Sequence, residues 1–388
     1  MKYDFDRVID RRNTNSYKWD MAEKRGKPAD VLPMWVADMD FECPREVADE
    51  AVRIAKRGIF GYSFAADDYF DILQGHLSDK FGYKPEKEWW LQCFGVMPAV
   101  ALAVQAFTTE DEGVIYLSPV YHSFRWAVED SHRNLVISSL KEKNGRWNID
   151  FEDFERKIAE NNVKAFLLCN PHNPVSRVWS REELLKLVEI CRKHGVYIIS
   201  DDIHAEFVFK GRHIMLPTLT DYDKIVLCFS PCKTFNISGL QIAEVFISNG
   251  EMREKFAAKL DEIHFWVGNV FGLELARAAY LHGGEWQEQL HEYLQGNIDF
   301  LTEFVKEQMP KAKLTQIEAT YLAFLDLRAY GLSDGDMDGL LSDKAKVWTN
   351  PGGMFGAEGE GFVRINFATQ RSVLKEAMER VGGVLEGL

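Results

Sequence analysis

The stretch Ala165-Phe166-Leu167-Leu168-Cys169-Asn170-Pro171-His172-Asn173-Pro174 decides how the rest of the chain reads. An apolar run of strand length ends abruptly in two Asn-Pro breakers, the pattern of a buried strand that stops at a loop. The pattern returns twice downstream. Residues 196–200 run into Asp201-Asp202-Ile203-His204, and Ile225–Phe229 runs into Ser230-Pro231-Cys232-Lys233-Thr234-Phe235. Further apolar runs at 114–117 and 243–248 also read as buried strands. Between them lie amphipathic helices, clearest at Arg181–His194, where Leu184, Leu185, Leu187, Val188 and Cys191 fall mainly on one side. The alternation predicts an α/β fold: a large domain with a mostly parallel central sheet flanked by helices.

From about residue 285 the texture changes. A long helical pattern at 285–308 precedes strands at Leu322–Asp326 and 362–367 and a closing helix at 372–381. These predict a smaller α+β domain, completed by the N-terminal part of the chain. The expected division is an N-terminal segment 1–45, packed on the small domain or on a partner subunit, a large domain 46–284, and a small domain 285–388. No internal repeat or Pro/Gly-rich linker divides the sequence. His282-Gly283-Gly284 reads as a helix end with its glycine cap.

The 388 residues carry a net charge of −14, and apolar residues make up 46%. A field of that sign repels nucleic-acid phosphates and anionic lipid surfaces, so neither is an expected partner. No secretory signal pattern opens the chain. Residues 89–109 lack charge, but Gln92, Gly95, Pro98 and Gln105 interrupt them, favouring strand, turn and buried helix over a membrane span. The six cysteines are scattered without a Cys-x-x-Cys pair, which argues against a disulfide framework or zinc site and for the cytoplasm. His122, His132, His204 and His213 have no metal-ligand spacing, so no metal is expected.

In an α/β sheet, ligands collect at the carboxyl ends of the strands. Three successive strand ends here deliver an amide, a carboxylate and a lysine toward one edge. Pyridoxal-phosphate chemistry needs that set: a lysine amine for covalent attachment, a carboxylate to keep the pyridine nitrogen protonated, and an amide beside the phenolic oxygen. Each residue alone is weak evidence, since a strand-end Asp is commonly a cap and a strand-end Lys commonly a surface residue.

Ser230-x-x-Lys233, Asp201-x-x-His204 and Asn170-Pro-His-Asn173-Pro174 resemble the aspartate-aminotransferase superfamily, fold type I of the pyridoxal-phosphate enzymes. Leu32-Pro-Met-Trp-Val-Ala-Asp-Met-Asp40, Gly61-Tyr62, Gly95-Val-Met-Pro-Ala99, Pro119-Val-Tyr121, Lys233-Thr-Phe-Asn236, Gly268-Asn-Val-Phe-Gly272, Pro351-Gly-Gly-Met-Phe-Gly356 and Gly361-Phe-Val-Arg364-Ile-Asn366 extend the resemblance over nearly the whole chain. It is closest to the cystathionine β-lyase-like C–S lyases of the MalY/PatB type.

The resemblance implies roles. Lys233 carries the cofactor and moves the Cα proton. Asp201 partners the pyridine nitrogen, Asn173 lies beside the phenolic oxygen, and His204 stands where aminotransferases of this fold usually have tyrosine. Tyr121 is the aromatic residue on the cofactor ring, counted with Lys233 as catalytic. Val96 and Met97, between strand and helix, offer backbone N–H groups to the phosphate, with Ser230 adding a hydroxyl. Tyr62 reaches the phosphate from the other subunit of a homodimer, unless it is a packed core tyrosine. Arg364 grips the substrate α-carboxylate, and Trp35 and Asp38 belong to the substrate entrance, with simple packing an equal reading for Trp35.

Departures matter equally. Gln241 stands where aspartate aminotransferases place a phosphate-binding arginine, and Cys232 where serine is usual. No second arginine of the kind that recognises a dicarboxylate side chain is evident. The missing arginine argues against a dicarboxylate aminotransferase, and His204 in place of tyrosine with Gln241 in place of arginine favours β-elimination from a sulfur-containing L-amino acid to thiol, pyruvate and ammonia. An aminotransferase is the alternative, because it needs the same lysine, aspartate and asparagine. Some relatives also bind a transcription regulator, so a role as interaction partner is a third reading.

Overall fold

The computed structural model describes residues 2–388. Seven strands build the central sheet: β1 Trp90–Cys93, β2 Gly113–Ser118, β3 Asn134–Ser139, β4 Val163–Cys169, β5 Tyr197–Asp201, β6 Ile225–Phe229 and β7 Ala243–Phe246. Their order is β1-β7-β6-β5-β4-β2-β3. Pairings from β3 through β6 are parallel. Only β7 runs against its neighbours, β6 and β1. Helices cover both faces, so β2, β5, β6 and β7 are buried along most of their length and read as continuous apolar runs rather than alternating ones.

Local chemistry explains the helix ends. Ser180 and Glu183 form a capping box at the start of Arg181–His194, and Gly195 closes it with φ +71°. The inward residues are Leu184, Leu187, Val188, Ile190 and Cys191. The uncharged stretch at 89–109 resolves into β1, a turn at Gly95, and the helix Val96–Phe107, whose Ala99, Val100, Ala103 and Val104 are buried. No helix among the described residues is long and apolar enough to cross a membrane.

A second, four-stranded antiparallel sheet is formed by β8 Lys313–Leu314, β9 Leu322–Asp326, β10 Asn350–Pro351 and β11 Phe362–Asn366, in the order β8-β9-β11-β10. The N-terminal segment joins this region: Leu32–Pro33 pairs in parallel with Val347–Trp348. Phe5 packs against Phe41, Trp286 and Tyr293. A buried knot ties the sheets together. Arg177, fully buried after β4, donates Nε to Glu318 at 2.9 Å, bonds Glu183 with Nη2, and also bonds the Trp147 carbonyl.

Two expectations need correcting. The closing helix runs Arg371–Glu386, past Gly382-Gly383, because Leu385 beyond them still buries in the core. Gly283 is not a left-handed cap. Its φ is −77°, and it joins Val270–His282 to Gly284–Gln308. Close approach requires the glycine there, since a Cβ would lie 2.3 Å from the Phe235 ring.

Candidate active site

The sheet register places the critical strand ends side by side. Cys169 pairs with Asp201, and Asp201 with Cys228. Asn170, Asp202 and Ser230 therefore open loops from one edge of the sheet. Lys233 sits on the short helix Pro231–Thr234, where Ser230 is the N-cap and accepts the Cys232 N–H at 3.1 Å. The Ser230 hydroxyl proton goes to the Ile242 carbonyl at 2.7 Å. Cys232 is buried, with its sulfur 3.5 Å from that same carbonyl.

Lys233 Nζ donates to the Ala37 carbonyl at 2.6 Å, and the Tyr321 hydroxyl donates to the same oxygen at 3.1 Å. Burial lowers the Lys233 pKa, opposed by the negative charge of Asp38. The amine thus loses its proton more readily than a surface lysine does. Asp201 is buried and accepts a single backbone N–H, from Ile203 at 3.1 Å. Burial pushes its carboxyl up to about 7, and the adjacent Asp202 pushes in the same direction. No cationic side chain among the described residues is within ion-pair distance of it. His204 is driven down to about 3 by burial and by the positive fields of Lys233 and Arg364, so its ring is neutral. Its Nδ1 is buried without a partner, and the ring meets Tyr321 edge-on at 5.6 Å.

Arg364 lies on β11, paired with Phe324 and Asn350. Its Nη1 donates to Asn173 Oδ1 at 3.0 Å, and its Nη2 to Asn350 Oδ1 and the Trp35 carbonyl, both at 2.8 Å. An arginine only donates, so the Asn173 oxygen must face it, leaving the Asn173 NH2 to point elsewhere. Burial lowers the Arg364 pKa to about 10, and its Nε is buried without a partner. Phe355 lies beneath the guanidinium at 4.7 Å.

The segment 34–41 crosses this site as a strap. Asn366 Nδ2 donates to the carbonyls of Val36 and Asp38 at 2.6 and 2.9 Å. Asp38 gives its carboxylate to Arg11 at 2.8 Å, while the buried Lys18 bonds the Asp38 carbonyl and the Asp40 carboxylate at 2.9 and 2.6 Å. The Trp35 ring is buried and stacks on Trp348 at 4.1 Å, so its carbonyl, not its indole, touches Arg364. Tyr121 follows β2 and is half-buried, with its ring edge-on to His122 at 4.9 Å.

Val96 and Met97 open the helix Val96–Phe107, where Gly95 (φ +135°) provides no side-chain cap. Their N–H groups are left for an anion. Nearby, Tyr62, Gln92, Phe94, Gln241 and Phe271 help line a cleft of about 750 Å³. Tyr62 itself is 97% exposed, which rules out the packed-core reading. Among the described residues no group of three or more His, Cys, Asp or Glu could hold a metal, and His213 pairs with Asp202 at 2.7 Å. Sequence reasoning missed Tyr321, Asn350 and the Ala37 carbonyl. Only Asn350 carried a signal, its place directly before Pro351-Gly-Gly.

Residues 30–381 match the family of class I and II aminotransferases. The chain is 38% identical to cystathionine β-lyase PatB of Bacillus subtilis, over 98% of this chain and 99% of that protein. Among solved structures, cystalysin from Treponema denticola, which contains pyridoxal 5′-phosphate, superposes with a TM-score of 0.96 at 32% identity, covering 100% of both chains. A pyridoxal-phosphate-bound putative aminotransferase from Clostridium difficile 630 superposes equally well, at 0.96 and 38% identity, over 99% of this chain and 100% of that one. The chain belongs to the class I and II aminotransferase family.

Proposed function

We propose that this chain is a pyridoxal-phosphate-dependent C–S β-lyase, cleaving a sulfur-containing L-amino acid to a thiol, pyruvate and ammonia. The observation that carries the reading is Asp201: a buried carboxylate without a cation, on the strand end between those leading to Asn173 and Lys233. A protonated pyridine nitrogen is the counter-charge it lacks, so the donor set fits pyridoxal phosphate. The names borne by PatB and the other similar lyases support the same reading.

Lys233 would hold the cofactor, Asp201 its ring nitrogen, and the Asn173 NH2 its phenolic oxygen. Tyr121 and the neutral His204 would flank the ring. Val96 and Met97 N–H groups would receive the phosphate, with Ser230 shaping the loop beside it. Bound there, the cofactor supplies the electron sink that makes an amino acid's Cα proton removable. Arg364 orients the substrate through its α-carboxylate, exchanging the Asn350 or Trp35 acceptor for the ligand in a two-pronged bond. Asp38 and the backbone of Trp35, whose ring packs on Trp348, form the wall of the entrance. Lys233 Nζ, with its pKa lowered, takes the proton from Cα and is placed to return it as the thiol leaves Cβ.

Tyr62 supports a homodimer with a shared site. It is exposed in one segment with Ile59, Phe60 and Phe64, and it lines a cleft with Phe60, Phe265 and Val267, an apolar surface that a second copy would cover. A large domain at 46–284, a small one at 285–388 and a cytoplasmic home, consistent with six unpaired cysteines, complete the proposal.

The test is incubation of the purified protein with L-cystathionine while pyruvate and free thiol are followed. Release of both without any 2-oxo acid is expected, and Lys233→Ala should abolish it. Product formation that strictly requires a 2-oxo acid, without thiol, would instead make the protein an aminotransferase.

A further inference from the structure

Arg25 closes the short turn Glu23–Arg25 in the N-terminal segment. Its guanidinium bonds the Tyr17 hydroxyl and lies over two rings, Tyr17 at 5.3 Å and Trp35 at 5.0 Å. Nearby cations of the same segment are committed to carboxylates: Arg11 to Asp38 and Asp40, Lys18 to Asp40, and Lys27 to Asp338. No carboxylate among the described residues pairs with Arg25. Arg25 stacks on aromatic rings yet remains an exposed residue, with one nitrogen on the Tyr17 hydroxyl and further N–H donors that a carboxylate could receive.

Trp35 links this cation to the site. Its ring touches Arg25, and its carbonyl accepts from Arg364 at 2.8 Å. The ring also stacks on Trp348, two residues before Asn350, which holds the same Arg364 nitrogen. The two arginines are therefore anchored to one scaffold. His122 senses both: after burial, the positive fields of Arg364 and Arg25 push it down to about 4. His122, next in sequence to Tyr121, thus lies in the positive field of both arginines.

We propose that Arg25 is the specificity-determining cation for the far carboxylate of substrates with an amino-acid head at each end, cystathionine and cystine. The near carboxylate belongs to Arg364, and the thioether or disulfide spans the space between. This assignment rests on the C–S lyase reading and on Arg364 holding the α-carboxylate. Such a pair of cations escapes a sequence search, because only the fold brings residue 25 against the Trp35 ring and into the field felt by His122.

The test compares holoenzyme with Arg25→Gln and Arg25→Lys on L-cystathionine and on S-methyl-L-cysteine, which has no far carboxylate. The ratio of the two kcat/KM values should fall roughly tenfold in Arg25→Gln, the loss expected for one solvent-exposed charge-assisted bond, and less in Arg25→Lys. Suberate, whose carboxyls are separated by as many chain atoms as those of cystathionine, should bind holoenzyme more weakly in Arg25→Gln by a similar factor in calorimetry. Octanoate should bind both equally. An unchanged ratio, equal losses on both amino acids, or undiminished suberate binding would overturn the proposal. If the wild type cleaves neither amino acid, the lyase reading fails, and the suberate comparison still decides whether Arg25 receives a carboxylate.

Discussion

Replacing Asp201 with asparagine should stabilise the cofactor-free protein while ending its use as an enzyme. The side chain is 4% exposed and accepts one backbone N–H. Burial, with Asp202 adding to it, moves the carboxyl from 3.8 to about 7. A pKa raised on folding means that the folded state binds more protons than the unfolded one. The contribution therefore favours folding at low pH and is lost as pH rises. At about 1.36 kcal/mol per pH unit, the ionised carboxylate costs the folded state about 4 kcal/mol near pH 8, about 2 near pH 5, and almost nothing near pH 3. The replacement amide has no charge to bury, so the Asp201→Asn apoprotein should gain most of that difference at the highest pH. Urea unfolding of phenylhydrazine-stripped wild type and variant, near pH 5 and near pH 8, measures it. Adding pyridoxal phosphate should reverse the order, because only the wild type can pair with a protonated ring nitrogen. A variant no more stable than wild type near pH 8, or a gain that does not shrink toward pH 5, would refute the account of Asp201.

Arg364→Lys removes a fork that bonds Asn173, Asn350 and the Trp35 carbonyl at once. Steady-state kinetics should show kcat/KM falling on the order of a hundredfold, mostly through KM, since lysine cannot make a two-pronged carboxylate bond. Glu318→Gln uncharges one of the two carboxylates that hold the fully buried Arg177, leaving Glu183, and should cost about 2 kcal/mol in urea unfolding, more than loss of a surface pair. Phe60→Asp, within the exposed apolar cluster around Tyr62, should shift sedimentation from dimer to monomer and weaken cofactor retention together.

What could be read from the sequence is what periodicity and punctuation encode. The apolar runs ending in Asn170-Pro171, Asp201-Asp202 and Ser230-Pro231 mark three strands and the edge on which they end. The antiparallel course of β7 is not legible, because a buried strand shows the same apolar run in either direction. The last helix outruns its sequence pattern because two glycines weaken a helix but do not stop one whose Leu385 still has a core to bury. The acceptors of the site are illegible for another reason. Ala37 bonds Lys233 through its carbonyl, and Trp35 bonds Arg364 likewise. Every residue has a carbonyl, so its role depends on where the chain is laid. Arg25 shows the same limit for a side chain, since the site it adjoins is built from residues distant in sequence.

The strap over the site has a consequence for synthesis on the ribosome. Arg364 reaches the Trp35 carbonyl across 329 positions of sequence, and Asn366 and Gln370 fasten the carbonyls of Val36, Asp38 and Asp40 across similar spans. At about 5–20 residues per second, the early segment waits roughly a quarter of a minute to a minute for its late partners. The central sheet is complete by Phe246 and can fold during that interval, but the strap cannot fasten. A nascent chain would thus hold Asp201 at a strand end and Lys233 on the short helix after β6 under an open roof. The strap is fastened by Arg364 only once nearly the last residues have left the exit tunnel.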